Sequence, residues 1–275
     1  MRSFAFFLCL FVLASGLLAQ ERPSTAASNV QVIEKPFHIP GLNRERQIRL
    51  YLPPGYADSN KSYPVLYMHD GQNLFDKATA YIDEWGVDEV LNELYEEKGF
   101  ELIVVGIDNG MADRIHELTA WDHEKHGKAE GQAYMDFILN TVKPYIDQEY
   151  RTISDRKGTA IMGGSLGGLI SHYAIFEYPE IFSRAGIFSP SFWWGEGPFN
   201  QVREQTLPED AKMYYIVGAK EPPSMTESFE QMIELLKTEG LEDQIQWRID
   251  AEGGHNERSW NAQLREALSW LYSLE

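Results

Sequence analysis

From residue 30 onward, short apolar runs alternate with longer stretches whose apolar positions recur at helical spacing. The runs are 65–68, 102–107, 160–162, 185–188 and 214–217, and a last one, 245–249, comes before the C-terminal stretch. Between them Val87, Val90, Leu91 and Leu94 share a helix face, as do Met135, Ile138, Leu139 and Val142. Phe229, Met232, Ile233 and Leu236 form a third face, preceded by a capping box in Ser224 and Glu227. Trp260, Leu264, Ala267, Leu268 and Leu271 form the last. Strands that are apolar throughout and alternate with helices predict an α/β fold: a mainly parallel sheet covered on both faces. Two strand candidates, 30–38 and 46–52, come first and are joined through the Pro40-Gly41 turn as an antiparallel pair. No repeat or long linker interrupts the pattern, so residues 30–275 read as one domain and the polar residues 20–29 as a tether.

The first residues break this pattern. Arg2 is followed by an apolar run from Phe4 to Ala19, interrupted only by Ser15 and Gly16. A charged start, a short apolar segment and small residues at its exit predict a signal peptide spanning 1–19. The run is shorter than the roughly 20 residues of a spanning helix, so no membrane span is expected after cleavage, and the chain is expected to be secreted or periplasmic. Cys9 is the sole cysteine and falls inside this segment. The mature chain is therefore expected to hold no disulfide, cysteine nucleophile or cysteine-ligated metal.

Composition adds little to this. Asp and Glu outnumber Lys and Arg 42 to 24, a net charge of −18, which argues against nucleic acid as a partner because that needs a basic surface. Hydrophobic residues at 43% and charged ones at 24% exclude a disordered or coiled-coil chain.

Ligands of such sheets sit beyond the carboxyl ends of the strands, which directs attention to Gly163-Gly164-Ser165-Leu166-Gly167. This G-x-S-x-G closes an apolar run and opens a helix with Leu166, Leu169, Ile170 and Tyr173 on its inner face. That is the strand, sharp turn and helix of a nucleophile elbow. A serine hydroxyl needs a base, and His255 alone among seven histidines follows the last strand, in the loop after Gly253-Gly254. Glu221 is the first carboxylate after the 214–217 run and is the expected acid; Asp250 and Glu252 are nearer to His255 in sequence but lie on its own strand and loop. Oxyanion donors are expected from the amides of Leu166 and of Gln72, the latter in the 69–73 loop, where Gly71 would let the backbone turn inward and Asp70 would brace it.

These residues resemble the Putative esterase (esterase D-like) family of α/β-hydrolases, which includes feruloyl and acetylxylan esterases, siderophore esterases, S-formylglutathione hydrolases and mycolyltransferases. The marks are Tyr51-Leu52-Pro53-Pro54-Gly55-Tyr56, the stretch 63–75, Ile107-Asp108-Asn109-Gly110, Tyr145-Ile146-Asp147 with Tyr150-Arg151-Thr152, Gly163 to Gly168, the stretch 189–194 and Gly253-Gly254-His255-Asn256-Glu257. The resemblance implies an α/β-hydrolase fold with Ser165 as nucleophile, His255 as base, Glu221 as acid, and the Gln72 and Leu166 amides in the oxyanion hole. Leu118-Thr119-Ala120 stands where close members of the family carry Tyr-Thr-Pro.

Trp193 and Trp194 follow a strand on the same edge, where flat rings could stack on a sugar or aromatic acyl group; core or lid packing is the alternative. Arg114 is taken as a substrate-binding cation, with an ion pair to Glu117 as the structural alternative. Trp260 reads as core. His116, His123 and His126 lie close in sequence, but Ala120 stands where H-E-x-x-H needs its second histidine, so no metal and no cofactor is implied. The expected function is an exported serine hydrolase acting on a small-molecule or glycan-linked ester. Acyl transfer to a sugar or lipid alcohol is the first alternative, and a non-catalytic glycan- or siderophore-binding protein the second. Oligomeric state does not follow from the sequence.

Overall fold

The computed structural model describes residues 22–274, so the expected signal peptide lies outside the described residues. In chain order the strands are β1 (Val30–Val32), β2 (Phe37–Ile39), β3 (Arg44–Arg46), β4 (Ile48–Tyr51), β5 (Val65–His69), β6 (Ile103–Ile107), β7 (Thr159–Gly164), β8 (Arg184–Phe188), β9 (Lys212–Gly218) and β10 (Ile245–Asp250). The α-helices are α1 (Val87–Lys98), α2 (Arg114–Glu117), α3 (Gly131–Phe137), α4 (Lys143–Glu149), α5 (Leu166–Glu177), α6 (Gly197–Glu204), α7 (Pro223–Thr238) and α8 (Glu257–Tyr272).

Eight strands form one sheet in the order β1-β4-β6-β5-β7-β8-β9-β10. From β6 to β10 neighbours are parallel, while β4 runs antiparallel to β6 and β1 antiparallel to β4. This is the expected α/β architecture. Side chains alternate across each strand, so Leu66, Met68, Ala160, Met162, Tyr214 and Ile216 face one layer and Val65, Tyr67, Ile161 and Tyr215 the other. On the first face the apolar stripes of α1 and α8 close the core through Val87, Leu91, Leu94, Leu264, Leu268 and Leu271. On the second lie α3 to α7. Every residue of α5 from Leu166 to Phe176 is buried, so this helix has no polar face, as a helix enclosed by protein requires.

Local details depart from the sequence reading. The two N-terminal strands are four short ones: β1 pairs with β4 through Val30↔Tyr51, whereas β2 and β3 form a separate hairpin through Phe37↔Arg46. Pro36 offers no N–H to a ladder, and the Gln47 side-chain amide donates to the Ile33 carbonyl between the two pairings. The Ser224–Glu227 capping box does not form. Pro222 occupies the N-cap and Pro223 starts α7, which puts Ser224 inside the first turn. Between α3 and α4 the helix widens into a π-turn at Ile138–Val142, just ahead of Pro144, whose ring cannot sit in a regular α-helical interior.

Within residues 20–29, expected as a tether, the stretch 24–29 is hydrogen-bonded to the domain. Asp76 accepts from Ser24 Oγ and Thr25 N–H, Glu84 from Thr25 Oγ, and Asp88 from Ala27 N–H at 2.8 Å. Asp88 is fully buried, and burial, with Glu89 beside it, pushes its carboxyl up to about 8. Between the ordinary carboxylate range and pH 8 the folded state then holds a proton that the unfolded chain has released, so stability falls as pH rises through that window. Thermal melts should show the parent losing stability relative to Asp88→Asn between pH 5 and pH 8; parallel pH profiles for the two proteins would contradict this.

Candidate active site

Ser165 is the single residue between β7 and α5. Its φ of 61° and ψ of −121° lie where a side chain is strained, at a cost of about 1–3 kcal/mol. The strain is held by neighbours: Ser165 N–H donates to the Phe188 carbonyl (2.8 Å), and its carbonyl accepts from Leu169 N–H (3.0 Å) and Ser191 N–H (3.3 Å). Gly163 makes the bend possible, because a β-carbon there would lie 2.6 Å from the backbone of Gly167. Leu166 opens α5, so its amide is one of the first-turn donors without an intrahelical acceptor.

The next strands bring up the other groups. β9 and β10 pair in register as far as Gly218↔Asp250, and beyond them Ala219 N–H donates to the Asp250 carbonyl and Lys220 N–H to that of Gly253. These bonds tie the two loops together, and His255 Nδ1 lies 2.7 Å from Glu221 Oε2. Glu221 Oε1 accepts from Ser189 Oγ (2.5 Å) and Gly218 N–H (2.9 Å). Burial alone would push the Glu221 carboxyl up, but the bonds from His255, Ser189 and Gly218 outweigh it and hold it below the usual range. Trp260 Nε1–H donates to Ser189 Oγ (2.8 Å) while its ring stands edge-on to the His255 imidazole. Lys220 pairs with Glu252 instead of Glu221.

Gln72 lies in a 3-10 turn, Gly71–Asn73, directly after β5. The left-handed residue of this turn is Asp70 (φ 59°). Gly71 is needed for close approach, since a β-carbon there would come within 2.8 Å of the Asp108 amide. Asp70 braces the loop, accepting from Arg114 Nε and Nη2 (2.5 and 2.8 Å) and Asn109 Nδ2 (2.6 Å). Gln72 Oε1 accepts from the Asn109 amide at 2.9 Å.

Ser165, His255, Gln72 and Arg114 line one cavity of about 510 Å3, together with Trp85, Trp260 and the exposed Tyr81, Ile82 and Met111. Ser165 Oγ lies 3.5 Å from Ser191 Oγ, and among the described residues it makes no hydrogen bond to His255. Trp193 and Trp194 do not line this cavity. Trp194 is buried, donates from Nε1 to the Trp121 carbonyl and stacks on His126; Trp193 points to solvent. Both are corrections to the substrate-binding reading: the 3-10 turn Phe192–Trp194 leads the chain away from Ser191 toward the 121–127 loop. Arg114 does not pair with Glu117 either. Glu117 is buried against Arg44 and Arg46, leaving Arg114 to Asp70.

Comparison with known proteins settles the family. The profile of the Putative esterase family matches residues 39–271. The chain belongs to that family. It is accordingly a carboxylic ester hydrolase. An uncharacterized protein of Bacillus subtilis, YbbA, is 28% identical over 243 residues, which cover 82% of this chain and 92% of its own. The ferri-bacillibactin esterase BesA of the same organism is 26% identical over 191 residues, 59% of this chain and 62% of its own. Among solved structures, an IroE-like serine hydrolase from Shewanella oneidensis superposes with a TM-score of 0.74 at 19% identity, over 89% of this chain and 80% of its own.

Within this esterase Ser189 has a part that its sequence context does not signal, and Trp260, expected as core, packs against the core and also lines the cavity. Ser189 is buried with φ 43° and joins Trp260 to Glu221. The signal available was Ser189-Pro190-Ser191 directly after an apolar strand, but nothing local says that the hydroxyl turns toward the next strand's loop. Asn109, which ties Asp70 to Gln72, carries no local signal of that role either.

The elbow geometry generates a stability test. Gly163→Ala should destabilise the esterase by about 1–3 kcal/mol, the usual range for forcing an extra carbon into a packed site, as read by urea denaturation. An unchanged midpoint would show that the bend does not need the missing β-carbon.

Proposed function

We propose that Ser165 is the nucleophile, His255 the general base and Glu221 the orienting acid of an ester hydrolase that works through an acyl-enzyme. The observation that carries this reading is the buried Glu221 carboxylate at 2.7 Å from His255 Nδ1 on the wall of the cavity that also holds Ser165. A proton on Nδ1 directed at Glu221 leaves Nε2 as the acceptor, the tautomer a base requires. In the substrate complex the Ser165 hydroxyl gives its proton to Nε2 as Oγ attacks the carbonyl carbon, a contact that characteristically tightens only once substrate is bound. The negative charge then formed on the carbonyl oxygen meets the amides of Leu166 and Gln72, the first at the start of α5. The imidazolium returns the proton to the departing alcohol, and water repeats the sequence to release the acid. Arg114 contributes to substrate binding only as an edge of the cavity, since two of its nitrogens already serve Asp70.

The substrates we infer are small-molecule or glycan-linked esters, in keeping with relatives named ferri-bacillibactin esterase and endo-1,4-beta-xylanase/feruloyl esterase, the second 23% identical over 252 residues in Xylanibacter ruminicola. Export follows from residues 1–19 read as a signal peptide. No helix of the described residues is long and apolar enough to cross a membrane.

Ser165→Ala should lower turnover of p-nitrophenyl acetate by about 10⁴-fold or more, and a fluorophosphonate probe should label the parent at Ser165 and leave the variant unlabelled. Near-parental turnover in the variant would overturn the assignment. Glu221→Gln should cost on the order of 10³ to 10⁴ in kcat through the wrong imidazole tautomer; a loss confined to KM would remove Glu221 from its role.

A further inference from the structure

Among the described residues the three large apolar side chains most open to solvent are Tyr81 (76%), Ile82 (72%) and Met111 (69%). All three line the cavity of Ser165 and His255, although they come from two loops, one before α1 and one after β6. Exposed apolar side chains converging on a single opening mark a surface that something covers. Deeper in, Trp85 and Trp260 continue the apolar wall, while Arg114, Asp70 and Asn109 supply polar groups. A volume of about 510 Å3 is in the range of pockets for drug-sized ligands and far exceeds an acetyl group.

The loop carrying Tyr81 and Ile82 is fastened at two levels. On the inner side Asn73 holds it, its side-chain carbonyl accepting from Tyr81 N–H (3.0 Å) and its backbone carbonyl from Trp85 N–H (2.7 Å). On the outer side the N-terminal segment holds it. Arg22 Nη1 donates to the Ile82 carbonyl (3.1 Å), Thr25 Oγ donates to Glu84 (2.7 Å) and accepts from Lys77 N–H (2.9 Å), and Ser24 Oγ donates to Asp76 (2.8 Å). The segment thus bridges residues on both sides of the two rim side chains, although it is 52 to 60 residues away in sequence.

We propose that Tyr81, Ile82 and Met111 form an apolar clamp on the non-reacting part of a bulky ester, and that residues 22–25 are a positioning strap that holds the Tyr81–Ile82 side of the clamp. This rests on the hydrolase reading above. A flat ring, a branched chain and a polarisable thioether suit an aromatic or branched apolar group, and ordering their loop in advance lowers the entropy lost on binding.

The test compares kcat/KM for ethyl cinnamate (bulk on the acyl side) and 1-naphthyl acetate (bulk on the alcohol side), each divided by that for ethyl acetate. Ile82→Ser and Met111→Ser should each lower at least one of the two ratios by about tenfold, the order that hydrophobic pocket contacts supply, mainly through a raised KM. Thr25→Val, isosteric and remote from the cavity, should lower the same ratio with the same KM signature; a merely structural role would lower all three esters together and leave the ratio unchanged. Ratios within twofold of the parent in both rim variants would overturn the clamp, including where those variants instead lose binding to phosphatidylglycerol vesicles. An unchanged ratio in Thr25→Val alone would overturn the strap. If the parent hydrolyses these esters no faster than Ser165→Ala, the hydrolase reading itself falls, an outcome distinct from both.

Discussion

A carboxylate removed from water is tolerable only if donors replace the water it has lost. Glu221 meets this condition with three of them, and each belongs to a different segment of chain: Ser189 after β8, Gly218 at the end of β9 and His255 after β10. One buried charge therefore obliges three neighbouring loops to close at one point. The parallel pairing of β8, β9 and β10 brings their carboxyl ends side by side, and the carboxylate then determines where the side chains beyond those ends must lie. Trp260 extends the set by donating to Ser189 while its ring braces the imidazole.

The Ser165 side of the cavity rests on a different constraint. Here the backbone is strained, and the strain is carried by packing: β7 sits in the middle of the sheet and α5 is enclosed on all sides. A bend that would relax in an exposed loop is kept because relaxing it would disturb the core on the face of the sheet that α5 covers. The two halves meet through the β8 loop, where the Phe188 carbonyl accepts from Ser165 and Ser189 reaches Glu221. The proposed nucleophile and the proposed acid are thus registered against each other by a strand that supplies neither.

The opposite wall is assembled by charge. Arg114 and Asn109 hold Asp70, and Arg44 and Arg46 hold the buried Glu117. A buried Glu without these guanidinium groups would be strongly unfavourable, so α2 is anchored there and Arg114 is left free to reach the turn that carries Gln72. The N-terminal segment completes the same side by pinning the loop of Tyr81 and Ile82.

The alternation of apolar runs with helical periods was enough to place the strands of the parallel sheet and the longer helices that cover it, though not α4 or α6, because burial imposes its period residue by residue. The bend at Gly163 to Gly168 was also legible, since small residues around a serine are a local requirement of a sharp strand-to-helix turn. Glu221 and His255 could be nominated from their order after the last strands. The errors arose where local pattern and long-range contact disagree. Ser224 and Glu227 have capping-box spacing, but the helix starts two residues earlier, with Pro222 at its N-cap and Pro223 as its first residue. Trp193 and Trp194 follow a strand at the edge that carries Ser165, yet their turn directs Trp194 to Trp121 and His126 and leaves Trp193 exposed. Arg114 and Glu117 are neighbours on one helical turn, yet each found a partner from another part of the chain. Sequence periodicity reports which face of an element is buried; which hydroxyl, indole or guanidinium meets which carboxylate is decided only when distant loops pack, because a hydrogen bond depends on tenths of an ångström that no spacing along the chain encodes.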